Sequence, residues 1–223
     1  MTHFEASSSE LEDAEVVVAD LFLEMESTVT AYGPGAIKVM LRIDGTAFFP
    51  GGLGLWRGLE KHGTPPVKFP RFPIMILGHN FDKVKGLADS HKRGIELMNG
   101  STWRILRRYL EVAEISKSDC FFTNVFVGLQ PIKSQGEMVA SEKYKEQCRA
   151  FLLRQVERVK PRLIATLGIP AAEQYHLSGC KAPIVELHHP SYACAKGSDG
   201  PECASIVASE AAKLRRKLDT LSA

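Results

Sequence analysis

Apolar positions along the chain separate a helical start, an irregular middle and a regularly alternating remainder. Leu11, Ala14, Val18, Phe22 and Met25 recur at steps of three and four, which predicts an amphipathic helix over 11–25 with an acidic outer face. Residues 31–71 are punctuated by Gly33, Gly35, Gly45, Gly51, Gly52, Gly54, Gly58 and Gly63 and by Pro34, Pro50, Pro65, Pro66 and Pro70. That density predicts loops and a hairpin or two folded over the body. Phe72 to Leu77 is then an unbroken apolar run closed by Gly78, the pattern of a strand buried on both faces.

A regular alternation follows. Trp103, Leu106, Leu110 and Ala113 describe a helix for which Ser101 or Thr102 is the expected cap. Cys120 to Val127 is the second strand. Tyr144, Cys148, Phe151, Val156 and Val159 mark a helix capped by Ser141 and stopped before Pro161. Leu163 to Leu167 is the third strand, and Gly168 with Pro170 opens a short helix toward His176. Ile184 to Leu187 is the fourth strand. Val207, Ala211, Leu214, Leu218 and Leu221 define a C-terminal helix with Lys213, Arg215, Arg216 and Lys217 on its basic face.

Buried strands alternating with helices predict an α/β fold whose parallel sheet is covered on both sides. Such sheets bind ligands outside the carboxyl ends of their strands. The segments leaving those ends are Gly78-His79-Asn80-Phe81-Asp82, Phe122-Thr123-Asn124-Val125, Gly168, and His188-His189-Pro190-Ser191-Tyr192. Three of the four are rich in polar side chains.

Composition narrows the class. The length of 223 residues favours one domain, and 44% hydrophobic with 24% charged residues excludes disordered, collagen-like and coiled-coil chains. The net charge of +2 hides an asymmetry: residues 1–37 hold eight acidic residues and no Lys or Arg. All 28 basic residues therefore face 18 acidic ones over residues 38–223, a net of +10. An acidic N-terminal segment, 1–37, is thus expected to precede a basic α/β body, 38–223, within one domain. The imbalance fits a polyanionic ligand and equally an ordinary solvated surface. No basic start followed by an apolar run is present, and stretches such as Val16–Ala19 and Ile74–Leu77 fall far short of the roughly 20 residues a membrane span needs. A soluble protein with no membrane partner is expected. Five cysteines without a C-x-x-C pair argue against a disulfide scaffold or zinc ribbon and point to the reducing cytoplasm. An iron-sulfur cluster from four of the five is the minor alternative, lacking a ligand-spacing motif.

Several chemistries can be set aside. No phosphate-cradling G-x-x-x-x-G-K-[ST] is present. Ser191 lacks a G-x-S-x-G elbow, which weighs against a small-molecule serine hydrolase. The adjacent histidines point in different directions and have no H-E-x-x-H partner, so no metal is expected. The Gly78–Asp82 loop is either a self-satisfied Asn/Asp turn or a ligand site. Asn124 inside an apolar strand is either a structural amide or a ligand reader. Imidazoles, two Asn amides and one carboxylate remain.

Those residues carry a resemblance. GHNFD after the first strand, TNV in the second, TLG ending the third and HHPS after the fourth resemble the ordered landmarks of the uracil-DNA glycosylase superfamily. The likeness covers about residues 72–221. It implies a three-layer α/β/α sandwich around a central four-stranded parallel sheet, and a monofunctional enzyme that flips uracil or a related deaminated base from DNA and hydrolyses its N-glycosidic bond. No metal or cofactor is implied, and DNA carrying such a base is the partner, bound by a monomer. Asn80 matches the water-positioning Asp or Asn, and Asn124 the reader of the flipped base. His189 matches the histidine that hydrogen-bonds the leaving base. Gly78 and His79 fall in the base-binding loop. Ser191 and the stretch Tyr192 to Lys196 match the loop that enters the minor groove and contacts phosphate. The family usually has Pro where this chain has Phe81, followed here by Asp82. Phe81 either stacks on the base or packs in the core, and Asp82 is either a second water-activating carboxylate or a surface residue. If these departures abolish catalysis, a DNA-damage-binding module on the same fold results.

Overall fold

Along Ile74–Asn80, the strand β1, side chains alternate between two separate cores: Ile74 and Ile76 enter one, Met75 and Leu77 the other. Period-two alternation with apolar residues on both faces requires a helical layer on each side. The computed structural model describes residues 12–38, 47–52, 54–55, 68–69, 74–80, 92–93, 100–129, 139–197 and 200–222. Within them, β1 pairs in parallel with β2 (Cys120–Phe126) and β3 (Leu163–Leu167), and β3 with β4 (Ile184–Leu187). The sheet order is β2-β1-β3-β4. Gly78 stands opposite Asn124, Leu77 opposite Thr166, and Leu167 opposite Leu187.

Helices α1 (Ala14–Thr28), α3 (Glu142–Val159) and α4 (Ile169–Leu177) cover one face. Helices α2 (Ser101–Val112), α5 (Pro190–Ala195) and α6 (Pro201–Ser222) cover the other. The three-layer sandwich is therefore present. The acidic helix α1 buries Val17, Val18, Leu21 and Met25 against the α3 side, and Asp20 pairs with Arg158 at 2.6 Å. Ser141 caps α3 as expected, its Oγ accepting from the Tyr144 N–H at 3.2 Å. Lys160 ends that helix in the left-handed region, φ 50°, just before Pro161.

Three local expectations are corrected. The first strand does not end before Gly78 but runs through Gly78, His79 and Asn80, because the chain keeps pairing with β2 as far as Phe126. Helix α2 begins at Ser101, so its cap is Gly100, which makes no side-chain hydrogen bond, and neither Ser101 nor Thr102 serves. His188-His189-Pro190-Ser191 is not a simple loop: His189 caps α5, with Pro190 at the first helical position.

Phe49, Gly54 and Leu55 lie along the outer edge of β2. The Phe49 N–H donates to the Phe122 carbonyl at 3.0 Å and the Phe122 N–H to the Gly54 carbonyl at 2.6 Å. An exposed sheet edge is thereby closed. Two short antiparallel ladders, Glu12–Asp13 with Lys68–Phe69 and Ile37–Lys38 with Gly128–Leu129, complete the described pairing. Most of the region where hairpins were expected lies outside the described residues. Among the described residues, no helix is long and apolar enough to cross a membrane.

Candidate active site

The carboxyl ends of the four strands bring the polar residues together. Asn124 sits in β2 directly beside Gly78 of β1 and is buried, 5% exposed. Its Oδ1 lies where a Cβ on residue 78 would stand, so any side chain there would collide with it. Glycine at 78 thus lets the amide reach across the neighbouring strand. Phe48 forms the adjoining wall: its ring edge is 3.5 Å from that same position, and its centroid is 5.3 Å from Trp103 and 5.6 Å from Phe122. Sequence reasoning did not single out Phe48, which lies in the Gly- and Pro-rich region.

Asn80 ends β1 opposite Phe126, on the Gly78 side of the strand by alternation. Its Oδ1 is buried and has no hydrogen-bond partner among the described residues. A buried acceptor left in that state is costly, so the atom is suited to receive a hydrogen bond from water or substrate. His79 points to the opposite side and meets the Phe126 ring edge-on at 5.0 Å. Burial holds its pKa below the ordinary histidine value, and the charge of His189 lowers it further. The two imidazoles are therefore close enough to oppose joint protonation.

His189 is held in one protonation pattern. Its Nδ1 accepts from the Ser191 backbone N–H at 3.2 Å and lies 2.7 Å from the Ser191 Oγ. An Nδ1 that accepts from an amide carries no proton, so the Oγ–H also donates to it and the ring proton sits on Nε2. Burial lowers the His189 pKa, favouring this neutral form. The loop approaches β3 closely at Gly168, φ 88°, where a Cβ would lie 3.1 Å from the Cβ of His189. A neutral Nε2–H donor, an unpartnered Asn oxygen and a buried Asn amide are the tools for binding a polar planar group and a water.

A family model described as the uracil DNA glycosylase superfamily matches residues 68–213 of the 223, from before β1 to within α6. The chain belongs to the uracil-DNA glycosylase superfamily. No curated protein matches it. Membership supports a glycosylase-type DNA repair enzyme that binds DNA. In this superfamily member, the matched stretch includes Gly78, His79, Asn80, Asn124, His189, Ser191, Tyr192 and Lys196, whereas Phe48 joins them from outside it.

The remaining expected residues divide. Ser191 and Tyr192 are exposed on α5, and Tyr192 stacks on His188 with ring centroids 4.9 Å apart and planes 18° from parallel. Lys196 lies just beyond α5, its Nζ 5.9 Å from the Tyr192 ring centroid and 3.1 Å from Glu202. Together they make the outer rim beside His189. Phe81 and Asp82 lie outside the described residues. Among the described residues, no group of three or more His, Cys, Asp or Glu could hold a metal ion. A second omission of the sequence reading is Glu210, whose buried carboxylate grips His188.

Proposed function

We propose that this superfamily member is a monofunctional glycosylase that hydrolyses the N-glycosidic bond of uracil, or a related deaminated base, flipped out of DNA. The observation that supports the reading is the buried Asn124 amide laid across Gly78, with the unpartnered Asn80 oxygen two residues further along β1 and the neutral His189 donor following β4 at the same carboxyl end of the sheet. In the bound state the Asn124 amide donates to the uracil O4 and accepts from its N3–H. Cytosine presents the opposite pattern there, so the same amide rejects it. Phe48 supplies the aromatic wall against which the base packs.

As the bond from C1′ to N1 breaks, its electron pair passes to the base, leaving an oxocarbenium-like sugar and a uracil anion. His189 Nε2–H stabilises that anion through a hydrogen bond to a base oxygen, a donor in place before charge develops. Asn80 Oδ1 orients a water toward C1′; the new C–O bond completes an abasic site, and the water's proton leaves to solvent or the released base. Each step is assigned to a protein group and none to a metal. Asn80 lacks the charge of a carboxylate, so slow chemistry is expected. Unpairing the base costs a few kcal/mol, which phosphate contacts from the basic body must offset.

The test is incubation with uracil-containing oligonucleotides, single-stranded and duplex with each opposing base, scored for alkali-labile abasic sites. Cleavage at uracil is expected. Salt-dependent binding with no base release in any context would instead select a damage-binding module, the alternative raised by Phe81, where the family usually has Pro, and by Asp82 after it.

A further inference from the structure

Glu210 is buried within α6, its side chain 1% exposed, among the apolar residues that pack beneath the sheet. A lone carboxylate there is costly, and an apolar residue of similar size would pack as well or better. Its contacts show what the charge holds. Oε2 accepts from the His188 backbone N–H at 2.9 Å, Oε1 lies 3.0 Å from the His188 Nδ1, and Lys213 Nζ donates to Oε1 at 2.7 Å. His188 is the one residue between Leu187, the end of β4, and His189, the cap of α5. Gripping it therefore fixes both the start of α5 and the direction of the His189 ring. The same grip reaches outward, because the His188 ring stacks on Tyr192 and Lys196 stands near the other end of that pair.

We propose that Glu210 is a positioning residue: through His188 it sets His189 against the leaving base and Tyr192 against the DNA. The proposal rests on the glycosylase reading. It is tested in the full chain with Glu210→Ala, Glu210→Gln and Glu210→Met, measured for single-turnover base release at saturating uracil DNA, for oligonucleotide affinity by fluorescence anisotropy, and for fold by near-UV circular dichroism. Misplacing a catalytic group by about 1 Å can cost on the order of 10²-fold, so a loss of that size is expected for Glu210→Ala, with weaker binding. Glu210→Gln keeps an oxygen for the His188 N–H and is expected to regain much of the rate. Glu210→Met fills the same space without accepting a hydrogen bond, so it carries the test if the alanine variant does not fold. A folded Ala or Met variant with wild-type rate and affinity would overturn the proposal, as would a Gln variant no better than Met. If the wild type binds DNA but releases no base, the glycosylase reading fails alone. Loss of affinity in Glu210→Met then still supports positioning, and unchanged affinity refutes it.

Discussion

Asn124 lays its amide oxygen over the backbone of Gly78, in the space that any Cβ at that residue would need. The two are register partners in adjacent parallel strands, so the amide crosses its neighbour instead of projecting away from the sheet. A strand glycine normally weakens a sheet. Here it admits a buried polar group at the strand end, which is a cost in stability accepted for a site.

Gly78→Ala should therefore displace the Asn124 amide. Overpacking of this kind costs about 1–3 kcal/mol, so the protein should remain folded with a lowered Tm. Single-turnover base release should fall by on the order of 10²-fold, since the displaced amide no longer matches the base. A folded variant with unchanged rate would show that residue 78 does not shape the pocket.

Asn124→Asp tests the reading role. An ionised carboxylate accepts hydrogen bonds but cannot donate to the uracil O4, whereas it can accept from the cytosine amino group. Sites built to hydrogen-bond a substrate reject a mismatched analogue by up to 10⁴–10⁵-fold, so the uracil-over-cytosine preference should collapse by at least about 10²-fold. Competition between otherwise identical uracil and cytosine oligonucleotides measures it. An unchanged ratio removes Asn124 from base selection.

As the proposed donor to the leaving base, His189 should set the pH profile. Its folded-state pKa is held below the ordinary value of 6.5 by burial, and protonating Nδ1 would break both bonds from Ser191. A depressed pKa means that the neutral donor persists through neutral pH and is lost as pH falls through the folded value. The rate should be flat above pH 6.5 and decline below it. Stability contributed by the neutral ring follows the same direction, present above 6.5 and lost on acidification. His189→Ala should lower the rate by about 10²–10³-fold, and Ser191→Ala by less, because the backbone N–H still fixes the tautomer. A rate that rises on acidification would make the imidazolium the donor and sink the tautomer assignment.

Much of this arrangement is legible in the chain because it depends on local periodicity. Two-faced apolar runs mark the four strands, and reading off what lies at their carboxyl ends picks out Asn80, Asn124 and His189. Ser141 is legible as a cap because Pro161 and the apolar spacing fix the whole of α3. Phe48 is not, since its position depends on hydrogen bonds from its neighbour Phe49 and from Gly54 to the far edge of β2, a pairing without a periodic signal. Glu210 did leave a trace: it falls in the buried stripe Val207, Ala211 and Leu214, where a carboxylate is out of place. The charge split is similarly sharpened. The acidic α1 packs on the α3 side of the sheet, the face opposite α6.

If Asn80 positions the attacking water as proposed, Asn80→Asp should raise the rate. In the proposed mechanism the amide oxygen orients water but carries no full charge to oppose the positive sugar in the transition state. A carboxylate at the same atom would add that attraction and could draw a proton from the water. General acid–base groups of this kind contribute about 10²–10⁴-fold, and the lower end is the expectation here because Oδ1 is buried and no described partner would stabilise the charge. Burial without a cation raises a carboxylate's pKa, so the gain should appear only above that value and vanish on acidification. The variant's rate should therefore rise with pH where the parent is already flat, and Asn80→Ala should fall below both. Single-turnover rates between pH 5 and 8 distinguish the cases. An aspartate variant no faster than the parent at any pH would mean that residue 80 does not face the water.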